Sequence, residues 1–141
     1  MTASKLPWES KSSAFRARLA DASDAAETLF MSSTAEKTRA EYFARGKLGD
    51  QGKGAVYVYS DKKGVALYVG QTSRQVKRRM HDQLAAHKLS IWWNDWDSMR
   101  FLPLANEADR FVLEALLIVS MKPRFNRRPS AESVSSLFAS L

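Results

Sequence analysis

Ala55-Val56-Tyr57-Val58-Tyr59, then Asp61-Lys62-Lys63-Gly64, then Ala66-Leu67-Tyr68-Val69-Gly70 is the stretch that decides the fold. Both flanks are rich in β-branched and aromatic residues, and the segment between them has turn chemistry, so the spacing predicts a β-hairpin closed by Gly70. In an extended strand Tyr57 and Tyr59 share a face. Tyr68 lies on the partner strand, within reach of one of them if the register allows. Strand tyrosines are usually packing residues; what sets these apart is a glycine-terminated strand and an arginine-rich segment immediately after it.

Outward from the hairpin the period changes. Thr72 or Ser73 can cap a helix over about 74–88 with Val76, Met80 and Leu84 on its apolar face. Residues 89–97 hold Trp92, Trp93 and Trp96, which either cap the core or offer a stacking surface for unpaired bases. Ser98 to Leu104 reads as a third strand stopped by Pro103. Asn106 then caps a helix to Ser120, apolar nearly all round and therefore expected to be central and buried, with Pro123 preventing continuation. Glu114 in its middle is an anomaly: either it points out at the one solvated stripe, or it is kept inside for its chemistry. A weak helix near 131–140 follows a basic tail.

Upstream, Phe15, Leu19, Ala22, Ala26 and Phe30 form an apolar stripe on a helix over 13–30. A second helix is expected over 35–45, with Thr34 as N-cap and Gly46 past its end. The glycines of 46–54 mark a loop. The expected division is an N-terminal helical extension, 1–50, and a second domain, 51–141.

The 141 residues are 45% apolar, enough to bury a core. Without cysteine there is no disulfide framework, zinc ribbon, iron–sulfur cluster or thiol nucleophile. His81 and His87 alone exclude a three-histidine zinc site, so a metal would be Mg²⁺ or Mn²⁺ on carboxylate. No run of apolar residues is long enough to span a membrane, and Met1 to Trp8 lacks the apolar region of a signal peptide, so a soluble, cytoplasmic protein is expected. The net charge of +7 is uneven: residues 1–50 carry eight basic and seven acidic side chains, whereas 51–141 carry fourteen and eight. Arg74, Lys77, Arg78 and Arg79 make one acid-free run, and Lys122, Arg124, Arg127 and Arg128 another. Such runs fit a polyanion, nucleic acid above all, through counterion release.

Taken together, Ala55-Val56-Tyr57, Tyr68-Val69-Gly70-Gln71-Thr72, the arginine-bearing helix, Glu114 and Lys122-Pro123-Arg124-Phe125-Asn126 resemble the GIY-YIG nuclease family over roughly residues 54–127. Twelve residues from Glu114 to Asn126 is similar to the spacing in its nucleotide-excision-repair members. The resemblance implies an α/β fold, a small three-stranded, mainly antiparallel sheet flanked by helices, and metal-dependent endonuclease activity on DNA leaving 5′-phosphate and 3′-hydroxyl ends. It implies that Tyr57 and Tyr68 are the motif tyrosines, one of which helps activate water. Glu114 would be the protein ligand of Mg²⁺ or Mn²⁺, an arginine would hold the scissile phosphate, and Asn126 would anchor the site. Counting ten residues from Tyr68, the shorter spacing in the family, gives Arg78, whereas the family's helix phase, matched by Val76 and Met80, gives Arg79; the resemblance is read with Arg79 on the phosphate and Arg78 a neighbouring contact. Arg74, Lys77, His87, Lys122, Arg124, Arg127 and Arg128 complete the expected nucleic-acid surface.

The sequence departs from the family pattern where Ala55 replaces a glycine and where Gln83 or Asp82 stands one turn after the arginine. RNA stays open beside DNA. So do a non-catalytic binding module that keeps the fold, and a nuclease serving as a restriction enzyme or toxin. The near-neutral extension favours a protein contact, either a partner or a second copy of the chain.

Overall fold

In the computed structural model the described residues are 7–76 and 91–126. Helix α1 (Pro7–Ser33) leads into strand β1 (Lys37–Thr38) and the short helix α2 (Arg39–Phe43). Strands β2 (Ala55–Ser60), β3 (Ala66–Thr72) and β4 (Ser98–Pro103) follow, then helix α3 (Glu107–Met121). The strands form one antiparallel sheet in the order β1-β4-β2-β3. An α/β sheet flanked by helices is therefore present, with a fourth short strand added to the three expected. Among the described residues no helix is long and apolar enough to cross a membrane.

The hairpin forms as its composition predicts. Asp61 Oδ1 accepts from the backbone N–H groups of Lys63 and Val65 at 2.9 and 3.0 Å, and Gly64 takes a positive φ of 81°. Tyr57 faces Gly70 and Tyr59 faces Tyr68 across the ladder, with a register shift between Tyr59 and Ser60. Alternation then divides the core. Ala55, Tyr57, Tyr59 and Met99 bury one face with Tyr42, Trp92 and Trp96. Val56, Val58 and Val69 bury the other with Phe30, Leu117 and Ile118.

Three expectations need correction. No helix spans 35–45: the Thr34 hydroxyl turns back to the Phe30 carbonyl at 2.8 Å, closing α1, while Lys37 and Thr38 pair with Met99 and Ser98. The cap is Thr38, in a reciprocal capping box with Glu41. Helix α1 is longer than 13–30, and of its predicted stripe Phe30 is buried, whereas Phe15 is 64% exposed and Leu19 and Ala22 are exposed as well. Helix α3 is not buried all round: Phe111 is 52% and Val112 59% exposed, with Val119 also outward. Its inner face carries Arg110, Leu117 and Ile118. Of the two readings of the tryptophans, capping the core holds for Trp92 and Trp96, both buried.

The segment before residue 50 is tied to the rest by directed bonds. Arg39 donates to the Trp93 and Trp96 carbonyls at 2.8 and 3.1 Å, its guanidinium 4.5 Å from the Trp96 ring centroid. Arg100 on β4 donates to the Thr34 carbonyl at 2.7 Å. On the far side, Ser120 of α3 donates to the Glu27 carboxylate of α1.

Candidate active site

Tyr57 and Tyr68 come together on one face of the hairpin, their rings near-parallel with centroids 6.4 Å apart. Tyr57 is 2% exposed and packs edge-on to Tyr59 at 5.4 Å. Tyr68 is half-buried and stacks on Trp92 at 5.0 Å. The glycine opposite Tyr57 has a steric reason: a methyl group at Gly70 would stand 2.6 Å from the Tyr57 hydroxyl oxygen. Ala55, where the family pattern has glycine, lies in β2 opposite Thr72 and Pro103, fully buried, so its methyl group is accommodated in the strand.

Asn126 is held against the same strand. Its amide oxygen accepts from the Val69 N–H at 2.6 Å and its amide nitrogen donates to the Val69 carbonyl at 2.7 Å. One side chain thus reproduces both bonds of a ladder on the outer edge of β3. The chain leading to it runs along that edge, with the Arg124 and Phe125 N–H groups donating to Ala66 and Leu67. This segment turns at Lys122, the C-cap of α3, in the left-handed conformation with φ 49°. Lys122 and Arg124 are exposed, and the Arg124 guanidinium lies 5.3 Å from the Phe125 ring centroid.

Glu114 is neither fully buried nor fully exposed. It sits half-buried one turn from Arg110 and one turn from Ile118, both on the inner face of α3. Arg110 is a site-building residue that sequence reasoning missed. It is buried, and its guanidinium donates to Gln71 at 3.1 Å and to the Leu104 and Ala105 carbonyls at 3.0 and 2.9 Å. Gly54 makes room for it, since a methyl group there would come within 2.5 Å of Arg110 Nη1. An arginine beside acids in a helix's first turn looks like a surface residue; its one signal was the apolar neighbourhood it would have to enter.

Four successive residues of β3 therefore connect the parts. Tyr68 supplies a ring, Val69 holds Asn126, Gly70 admits Tyr57, and Gln71 holds Arg110, one turn before Glu114. Beyond them Gln71, Thr72, Ser73 and Arg74 line a polar recess, in which the Thr72 hydroxyl accepts from the Arg74 N–H at 3.1 Å. Arg74 itself is exposed. Lys77, Arg78, Arg79, His87, Arg127 and Arg128 lie outside the described residues, as does most of the helix expected over 74–88.

Of the residues gathered here, Glu114 is the carboxylate that could ligate a hard divalent ion. Glu114 offers one partly buried carboxylate, and among the described residues no three His, Cys, Asp or Glu side chains cluster as a metal cage would require. Mg²⁺ and Mn²⁺ are content with one carboxylate when waters and phosphate oxygens complete the shell.

Comparison with known proteins follows the same outline. The family model described as the UvrC-like GIY-YIG domain matches residues 53–127, which hold Gly54, the hairpin, Glu114 and Asn126. Two proteins named UvrABC system protein C are similar to the chain. That of Christiangramia forsetii is 34% identical over 77 residues, covering 50% of this chain and 12% of its own length. That of Treponema denticola is 31% identical over 74 residues, covering 50% and 11%. The chain thus matches about an eighth or less of those relatives. No solved structure matches it.

Proposed function

The chain belongs to the UvrC-like GIY-YIG domain family, and on that footing we propose that it is an endonuclease hydrolysing phosphodiester bonds in DNA. The observation that carries this reading is the tyrosine pair itself: Tyr57 lies over a glycine that no other residue could replace without displacing it, beside Tyr68. A core needs no such fit, and phenylalanine would fill either position as well.

In the proposed reaction Tyr57 helps to take a proton from the attacking water, and Tyr68 flanks it. A phenol with an ordinary pKa of ~10 is a weak base at neutral pH, so it depends on neighbouring donors and cations. Arg79 would hold the scissile phosphate, with Arg78 beside it. Arg74, Lys77, His87, Lys122, Arg124, Arg127 and Arg128 would bind the backbone on either side, a salt-sensitive contribution that positions without reading sequence. Asn126 keeps β3, and with it Tyr68 and Gly70, in register. Glu114 would hold Mg²⁺ or Mn²⁺, which supplies positive charge against the charge developing on the phosphate oxygens. Attack in line with the 3′-oxygen leaves 5′-phosphate and 3′-hydroxyl ends.

The test is cleavage of single- and double-stranded DNA, and of RNA, by the purified protein with Mg²⁺ or Mn²⁺. Cleavage of DNA is expected, and Glu114→Ala should abolish it while leaving DNA affinity within about twofold. A wild-type protein that binds DNA but never cuts any nucleic acid makes it a binding module and refutes the enzyme.

A further inference from the structure

Helix α1 runs for 27 residues and is anchored through its second half. There Ser23 and Phe30 are buried, Asp24 and Glu27 accept from Ser120 of α3, and the Met31 and Thr34 carbonyls accept from Arg100 of β4. From residue 11 to residue 22, by contrast, every residue is exposed. At 1.5 Å per residue, the helix from Pro7 to Ala22 is a stretch of about 24 Å.

That exposed half does not have the composition of a solvated one. Phe15, Leu19 and Ala22 make a stripe that continues into Ala26 and Phe30, and only at its lower end is the stripe taken into the core. Phe15 is 64% and Leu19 46% exposed, one turn apart on the same face.

The charges are ordered along the same helix. Lys11, Arg16 and Arg18 lie in the first half, and Asp21, Asp24 and Glu27 in the second. This order opposes the helix dipole, which favours acids near the N-terminus and bases near the C-terminus. A helix standing alone in water would gain from the reverse arrangement. An antiparallel neighbour of the same sequence turns the order into an attraction, because each basic half then lies beside an acidic half. Leu19 is midway between Lys11 and Glu27, so it comes to the two-fold axis, and Phe15 of one copy meets the small Ala22 of the other. A parallel neighbour would set like charge against like.

We propose that the exposed half of α1 is the interface with a second copy of the chain, the two helices antiparallel about Leu19. The inference does not depend on the nuclease reading. One helix seam of this length buries less than the roughly 1,200–2,000 Å² of a standard interface, so the dimer is a weak one that forms at micromolar concentrations. The outer face of α3, with Phe111, Val112 and Val119, is apolar as well but carries no such charge order, and it serves as the control.

The experiment is sedimentation velocity on the full chain over about 5–500 µM, at low and at high salt. The mass should rise with concentration from one chain toward two, and high salt should weaken the association. Phe15→Ser and Leu19→Ser should each weaken it by about tenfold or more. Neither should move the thermal midpoint, since both residues are exposed. Arg16→Glu with Arg18→Glu should abolish the dimer, as should Asp21→Lys with Asp24→Lys; Ser120 keeps its bond to Glu27 in the latter. All four changes in one chain should restore the dimer, since the exchanged halves are again complementary only when antiparallel. That chain also suits the helix dipole better, so its failure to associate cannot be laid to a lost helix. Wild type that stays a monomer at every concentration overturns the inference. So does a dimer abolished by Phe111→Ser but not by Phe15→Ser, or a fourfold variant as monomeric as its two halves.

Discussion

Gly70→Ala is the smallest change that tests the geometry of the tyrosine pair. The added methyl carbon would stand 2.6 Å from Tyr57 Oη, 2.7 Å from Cζ and 2.8 Å from Cε2. Non-bonded carbons settle at about 3.5–4.0 Å, so the ring must retreat by roughly 1 Å. Three contacts along one edge leave no single rotation that relieves them all, and Tyr59 closes one side of the ring at 5.4 Å. Overpacking of this kind costs about 1–3 kcal/mol. Replacing glycine within a strand returns about 0.5–1 kcal/mol of chain entropy. The net loss is roughly 0.5–2 kcal/mol, a midpoint lower by about 2–6 °C for a chain of this size.

The larger effect falls on cleavage, because a displacement of about 1 Å at a reacting group can cost on the order of 100-fold in rate. Thermal unfolding and single-turnover cleavage measure the two effects separately. Repeating Gly70→Ala in a Tyr57→Leu background completes a double-mutant cycle, and most of the stability loss should vanish there. Gly70→Ala protein as stable and as active as wild type, or equally destabilised with Tyr57 shortened, would refute the placement of the ring over Gly70.

Asn126→Ala removes both bonds to Val69 and should cost about 1–3 kcal/mol, with much faster hydrogen exchange at the Val69 amide; unchanged protection there would show that the edge is held by something else. Hydrogen bonds from Thr38, its backbone N–H first, hold the Glu41 carboxyl below its ordinary pKa. The stability they add is fully present above the unfolded pKa of about 4.3 and is lost as pH falls through the depressed folded value. Glu41→Gln, which removes the titrating carboxyl, should therefore narrow the stability difference between pH 7 and pH 3 in denaturant titrations, and an unaltered difference would argue against the capping box.

The hairpin was legible because several local signals agree: alternation, a turn built on Asp61, and glycine where φ is positive. Strand geometry placed Tyr68 within reach of Tyr57 or Tyr59 on one face, and the register sets it opposite Tyr59 with its ring 6.4 Å from that of Tyr57; choosing Tyr57 needed the family resemblance. Strand β1 was not legible, because two residues carry no period and their pairing with Met99 and Ser98 is a tertiary fact. The cap could have been found, as Thr38 and Glu41 have capping-box spacing; Thr34 competed with it and is spent on the Phe30 carbonyl. Helix α3 shows the limit from the other side. Its apolarity was visible, but composition cannot say that Phe111 and Val112 face out while Arg110 faces in.

Arg110 and Tyr42 each carry a polar group into the core, where burial works against folding unless the group is hydrogen-bonded. Arg110 is satisfied in the folded state by three acceptors, one of them Gln71 on the strand that carries Tyr68 and Gly70. Substituting it would therefore damage folding and cleavage together. The hydroxyl of Tyr42 bonds nothing among the described residues, so its removal should spare folding.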